Sequence, residues 1–328
     1  MMKKTLIASA FIGLFASNAA IANEETDKLR QIIAEQQKVL ESLEKRLDET
    51  DQKLNATAEH IEIEVVEEEE SAFANTTIGG YGELHYNNYE DSDAKIDFHR
   101  FVLFFGHEFS DSIRFFSEFE LEHSLSGDGK PGEVELEQAF VEFDLTENTT
   151  TSVGLQLVPV GLINETHEPP TFYGVERNEV EKNIIPATWW EAGVKFTGKL
   201  GKNLQYDAMV HSGLKTPTIG GKAFLIRSGR QKVAKASWKN SAFTGRLSWI
   251  PIAGVNLAAT FQYQDDLTQS AVPTSATLIE AHADVRRQIS QSGEISFRAL
   301  YAQWKLNSME AELIGRDKQR GWYVEPSY

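Results

Sequence analysis

The sequence predicts an all-β fold, a transmembrane antiparallel β-barrel, preceded by an N-terminal α-helical coiled coil. Three observations predict it. The chain opens with the leader of an exported protein; a heptad segment without Gly or Pro follows; and the remainder of the 328 residues alternates apolar and polar side chains in segments of about ten.

The opening MMKKTLIASAFIGLFASNAAIA sets Lys3 and Lys4 before a short apolar run ending in small residues around Ala20 and Ala22. That is the pattern of a secretory signal peptide over residues 1–22, cut before Asn23. The apolar run is shorter than the roughly 20 residues that a membrane-crossing helix needs. Cysteine is absent, which excludes disulfides, a lipid-modified cysteine and thiolate metal sites. The formal net charge of −17 argues against nucleic acid as a partner, because phosphate backbones are held by Lys and Arg clusters.

Residues 23–60 are rich in Glu, Lys, Gln and Leu. Leu29, Ile33, Gln36, Leu40, Leu43, Leu47, Thr50 and Leu54 recur at alternating spacings of four and three, the seam of a coiled coil. Self-association would cover that seam; a lone solvated helix held by charge pairs is the alternative. Residues 61–72 contain the run Glu67 to Glu70 and read as an acidic, solvated linker.

From Phe73 on, helical periodicity gives way to strands, and residues 73–328 form the barrel domain. The clearest are Ile78 to Tyr89, Ile96 to Phe109, Ile113 to His123, Val134 to Leu145 and Thr151 to Pro159. Further candidates are Trp190 to Thr197, Leu204 to Ser212, Gln231 to Trp238, Phe243 to Ile250, Val255 to Gln264, Leu278 to Arg287 and Glu294 to Trp304. Tight turns at 110–112, 201–203 and 290–293 contrast with long loops such as 126–132 and 265–275, as in outer-membrane barrels. In such a barrel the apolar face of each strand meets lipid and the polar face lines water. Arg114, Glu118, Glu120 and Glu122 are thereby expected to line the pore, opposite Phe119 and Leu121. Glu280, His282, Asp284 and Arg286 are expected there too, opposite Ile279, Ala281, Ala283 and Val285. Trp189, Trp190, Trp238, Trp249 and Trp304 fall near strand ends, where a barrel carries its interfacial aromatic girdles. A soluble β-sandwich is the competing reading of the alternation.

Five segments carry a family resemblance: GGYGELHYN at 79–87, DFHRFVLFFGHEFSDSIRFFSEFELEH at 97–123, ELEQAFVEF at 135–143, VGLQLVPVGLINETHEPPTFYGVERNEVEKNIIPATWWEAGV at 153–194 and GRDKQRGWYVEPSY at 315–328. They resemble the bacterial phosphate-selective porins O and P. The resemblance implies a sixteen-stranded homotrimeric barrel in the outer membrane of a Gram-negative bacterium, in contact with lipid and delivered by the barrel-assembly machinery. It implies passive diffusion of small solutes or inorganic ions, phosphate or other anions among them, without cofactor. It further implies that a loop at about Val160 to Ala187 folds inward as the constriction, with Glu165, His167, Glu168, Tyr173, Glu176, Arg177, Glu179, Glu181 and Lys182 as its polar members. Glu outnumbers base in that loop, and carboxylate rings favour cations, so the family name does not fix the solute. Arg100, Arg227, Arg230, Lys232, Arg246, Arg286 and Arg298 are candidate lumen bases elsewhere.

About a dozen strands are countable and the chain stops in what reads as a thirteenth, GWYVEPSY, so a barrel truncated at its C-terminus is expected, with a complete smaller barrel as the alternative. Catalysis is not expected: no Ser/His/acid spacing, HExxH or phosphate-cradling glycine loop is present, and His99, His107 and His123 read as lumen or interface residues rather than metal ligands. The other function considered is a tether, in which the periplasmic coiled coil contacts peptidoglycan.

Overall fold

The structure, a computed structural model, describes residues 73–328 except 271 and 292, together with Gln37 and Lys38. The signal peptide, the acidic linker and the seam residues Leu29, Ile33, Gln36, Leu40, Leu43, Leu47 and Leu54 lie outside the described residues; Gln37 and Lys38 are helical and exposed. The chain divides into two units, Met1–Ser71 and Ala72–Tyr328, and the sheet belongs to the second.

Twelve strands follow one another: β1 (Thr76–Asn87), β2 (Lys95–Ser110), β3 (Ile113–Glu122), β4 (Val134–Thr146), β5 (Thr149–Leu157), β6 (Trp190–Lys199), β7 (Leu204–His211), β8 (Ala242–Trp249), β9 (Val255–Gln264), β10 (Ser275–Gln288), β11 (Glu294–Asn307) and β12 (Lys318–Ser327). Each pairs antiparallel with its sequence neighbour in a single sheet. The segment 231–238, expected as a strand, is instead part of the loop between β7 and β8, where Lys232, Val233 and Lys235 take left-handed backbone angles that no ladder accommodates. Among the described residues β1 and β12 are not paired with each other, so the sheet is open rather than closed. Pro326 sits on β12, the outermost strand, where a residue without an N–H is tolerated.

Short connections at one end of the sheet, such as 111–112 and 147–148, alternate with long ones at the other, 158–189 and 212–241 the longest. Along β9, Ala258, Thr260, Gln262 and Gln264 are buried while Ala259, Phe261 and Tyr263 are exposed; β8, β10 and β11 repeat the pattern. On β3, Glu118 is 1% exposed and its neighbour Phe119 39%. The sheet thus inverts the soluble arrangement, with carboxylates and amides covered and large apolar side chains uncovered. No described helix is long and apolar enough to cross a membrane, a test that does not bear on strands.

The covered face is not polar throughout. Leu278, Leu300, Ala302, Trp304, Leu306 and Tyr323, on the long-loop halves of β10 to β12, form an apolar cluster with Val160, Ile185 and Trp189 from one inward loop and Leu214, Phe224 and Ile226 from the other. This corrects the expected aromatic girdle. Trp238, Trp249 and Trp322 are exposed, but Trp189, Trp190 and Trp304 are buried, because strand parity aims Trp304 inward between Ala302 and Leu306. Trp189 meets it with ring centroids 6.2 Å apart.

Candidate functional site

The loop 158–189 turns onto the covered face directly after β5 and holds a 3-10 turn at Pro169–Thr171 and a short helix α1 (Glu179–Asn183). Asn164 closes its base. Its Nδ2 donates to the carbonyls of Val158 (2.8 Å) and Trp189 (2.9 Å), and its Oδ1 accepts from the Trp189 N–H (2.7 Å). Gly161 makes the inward turn at φ +72°, where a Cβ would stand 2.6 Å from Glu181 Oε2. Glu181 is fully buried and accepts from the N–H groups of Leu162 (3.0 Å) and Ile163 (2.6 Å) and from the Tyr323 hydroxyl. Burial pushes this carboxyl up to about 7 against those bonds.

Other anchors run round the sheet. His167 Nε2 stands 2.9 Å from Glu137 and 3.3 Å from Glu118, all three buried. Burial alone would lower the basicity of His167, but the two carboxylates outweigh it and raise it to about 10. His167 is therefore an imidazolium clamped to β3 and β4. Glu165 pairs with Arg246 of β8 and lies 3.8 Å from Lys195 of β6. Arg298 of β11 donates to the Thr171 carbonyl (2.7 Å) and stacks 4.1 Å over the Tyr173 ring. Asn178 reaches Glu325 of β12 (3.0 Å), and Trp304 donates to the Ile184 carbonyl (2.8 Å). One loop thus touches strands from β3 to β12.

Removing the clamp has a definite expected cost. In His167→Gln the carboxylates of Glu118 and Glu137 remain buried without a cation, so we expect stability to fall by about 3–5 kcal/mol. Adding Glu118→Gln and Glu137→Gln to that variant is expected to recover part of the loss. Thermal melts of the folded protein in detergent measure both.

Two cavities remain beside the loop. One, of about 470 Å³, is lined by Glu165, Lys195, Asp207, Arg246, His282, Asp284, Arg286 and Arg298 among others. The second, of about 290 Å³, is lined by Arg100, Glu120, Glu122, Glu135, Glu137, Glu176, Arg177, Lys182, Arg227, Arg230 and Lys232 among others. The seven bases singled out from the sequence all line one or the other. Of the remaining expected residues, Arg114 pairs with Glu142 (2.9 Å) and Asp144 (2.5 Å) at the short-turn end. Glu280 and His282 are buried as a 2.8 Å pair, and Glu168 and Tyr173 are half-buried. Glu179 is exposed beside Lys182 (3.4 Å).

Pairing divides the charges of the second cavity. Arg100 is held by Glu83 (2.7 Å) and Glu120 (3.3 Å), and Lys232 by Glu133 (2.6 Å) and Glu135. Arg177, Arg227 and Arg230 make no ion pair among the described residues. They bond neutral oxygens instead: Thr188 Oγ1 (3.3 Å), the carbonyls of Lys182 and Ala187 (2.9 Å for the latter), and the Thr188 carbonyl (2.7 Å) respectively. Burial, then the neighbouring Arg230 and Arg177, lower Arg227 to about 10; Arg177 and Arg230 are lowered as well, first by burial. Sequence reasoning missed this grouping, because Arg177 and Arg227 lie on different inward loops and only the length of 212–241 hinted that the second loop folds in.

No family model matches the chain. An uncharacterized protein of Aquifex aeolicus is 39% identical over 177 residues, which are 53% of this chain and 40% of the relative. The chain therefore spans about two-fifths of the length of the curated relative it matches. Among solved structures it is similar to the Salmonella typhi OmpF complex with daunomycin (TM-score 0.45, 12% identity, 77% of this chain and 72% of that one). It is also similar to the outer membrane channel DcaP of Acinetobacter baumannii (TM-score 0.40, 14% identity, 78% and 88%) and to the trimer form of Vibrio cholerae OmpT (TM-score 0.38, 12% identity, 76% and 82%). These are distant likenesses.

Proposed function

We propose that this chain is an outer-membrane pore through which small hydrophilic solutes diffuse passively, with the inward loop 158–189 as its constriction and small anions favoured there. The observation that carries the reading is the inverted sheet: apolar side chains such as Phe261, Ile279 and Tyr301 are uncovered, and Glu118, Glu120, Glu280 and Arg298 are enclosed. A soluble sandwich has no use for such a belt, whereas a bilayer supplies its partner. In lipid an unpaired sheet edge costs several kcal/mol per orphaned backbone group, so the edges of β1 and β12 require partners in the membrane.

Anion preference follows from pairing rather than from counting. Arg100, Lys232 and His167 each hold two of the glutamates near the constriction, and Arg177, Arg227 and Arg230, which have no carboxylate partner among the described residues, offset the remaining negative charge and present their guanidiniums to a passing ion. The family resemblance in sequence points the same way and to a homotrimer.

Ala281 tests the membrane reading. It is exposed at the middle of β10, opposite Ala259 and Tyr301, so a larger side chain meets no steric obstacle. Ala281→Arg is expected to cost about 2–4 kcal/mol when the protein folds into bilayers and close to nothing if this face meets water. Folding stability in lipid vesicles distinguishes the two, and an unaffected variant counts against the reading.

A further inference from the structure

We propose that His99, His123 and Asp97 form a site for a divalent transition cation such as Zn²⁺ at the long-loop mouth of the sheet. In the sequence His99 and His123 belong to two separate expected strands. The ladder brings them together. A bulge in β2 lets Glu83 pair with Arg100 and Leu84 with Phe98, which leaves His99 as the extra residue and turns it to the same side as Asp97 and Arg100. His123 follows β3 with φ +52°, and its N–H donates to the His99 carbonyl (3.0 Å), so its ring swings back over β2.

Both imidazoles converge on one oxygen. His123 Nδ1 lies 2.8 Å and His99 Nδ1 3.2 Å from Asp97 Oδ2, and the three candidate ligand atoms fall within 4.8 Å of one another. Tetrahedral zinc with ligands at about 2.0–2.1 Å requires ligand atoms about 3.3 Å apart, so modest side-chain rotation suffices to admit the ion. Two imidazoles and a carboxylate select zinc, copper or nickel over calcium and magnesium, which take oxygen. His85, opposite Asp97 on β1, stacks on His99 with centroids 4.4 Å apart and bonds Glu83 (2.5 Å), which holds the His99 ring in place. Side chains at the site are 27–31% exposed, open enough for an ion to enter. His99 also lines the cavity that contains Arg177, Arg227 and Arg230, so the bound ion would sit at that cavity's rim.

The test uses the full chain folded in detergent. Calorimetric titration with Zn²⁺ is expected to give one site per chain, weakened at least about tenfold in His99→Gln and in His123→Gln. His107→Gln, whose residue bonds Thr76 (2.8 Å) away from the cluster, is expected to bind as wild type does. A readout that needs no variant accompanies it: the electron paramagnetic resonance spectrum of the Cu²⁺-loaded wild type should show coupling to two imidazole nitrogens. Oxygen-only coordination of Cu²⁺, or Zn²⁺ affinity unchanged in both ligand variants, overturns the proposal.

Discussion

Replacing both Arg227 and Arg230 by Gln is expected to lower the chloride-to-potassium permeability ratio of the pore about tenfold, equivalent to about 1.4 kcal/mol. The two guanidiniums lie in one cavity, bond only to backbone carbonyls, and have no carboxylate partner among the described residues. At an effective dielectric constant of about 20, a unit charge about 5 Å from a passing ion contributes about 3 kcal/mol before salt screening. Screening and the nearby Glu122 and Glu176 reduce the sum to the value expected. The matched variants with Lys in place of Arg keep the charge and are expected to keep the selectivity. Bilayer reversal potentials under a KCl gradient read both, and an unchanged ratio in the Gln variant would remove these residues from the selectivity mechanism.

Glu181→Leu is expected to release the constriction loop. The substitution orphans the N–H groups of Leu162 and Ile163 and the Tyr323 hydroxyl, at about 1–3 kcal/mol for each buried group left unpaired. Single-channel conductance should rise and the segment near Pro169–Thr171 should become open to protease. The wild type should show a related pH dependence. The folded-state value of Glu181, about 7, lies above its ordinary 4.5, so its contribution to stability is fully present below about 4.5 and is lost as pH rises through about 7. His167, raised from 6.5 to about 10, acts in the same direction at higher pH. The loop should therefore loosen as pH rises, and Glu181→Gln should remove the step near pH 7. Protease accessibility across that range would expose a pH-independent latch.

How far the sequence disclosed these features depends on whether a local signal existed. Period-two alternation is local, so β3, β9, β10 and β11 were legible within a few residues, as was which face holds Glu118, Glu120 and Glu280. The segment 231–238 failed because it belongs to a loop in which Lys232, Val233 and Lys235 take left-handed angles that no ladder accommodates. Trp189 and Trp304 were placed in a girdle by their position near strand ends, yet the inward loops gave them a dry enclosure. The approach of His99 to His123 had no local signal, because it depends on a bulge that leaves His99 out of the β1–β2 register. The three unpaired arginines had no signature, because what marks them is the absence of a partner, and partners are chosen in three dimensions.

A passive pore with an electropositive constriction predicts how the wild-type chain behaves in a planar bilayer under a KCl gradient. Sustained ohmic conductance with a reversal potential displaced toward that of chloride is the result expected. A reversal potential displaced toward potassium, or no conductance from correctly folded protein, would contradict it.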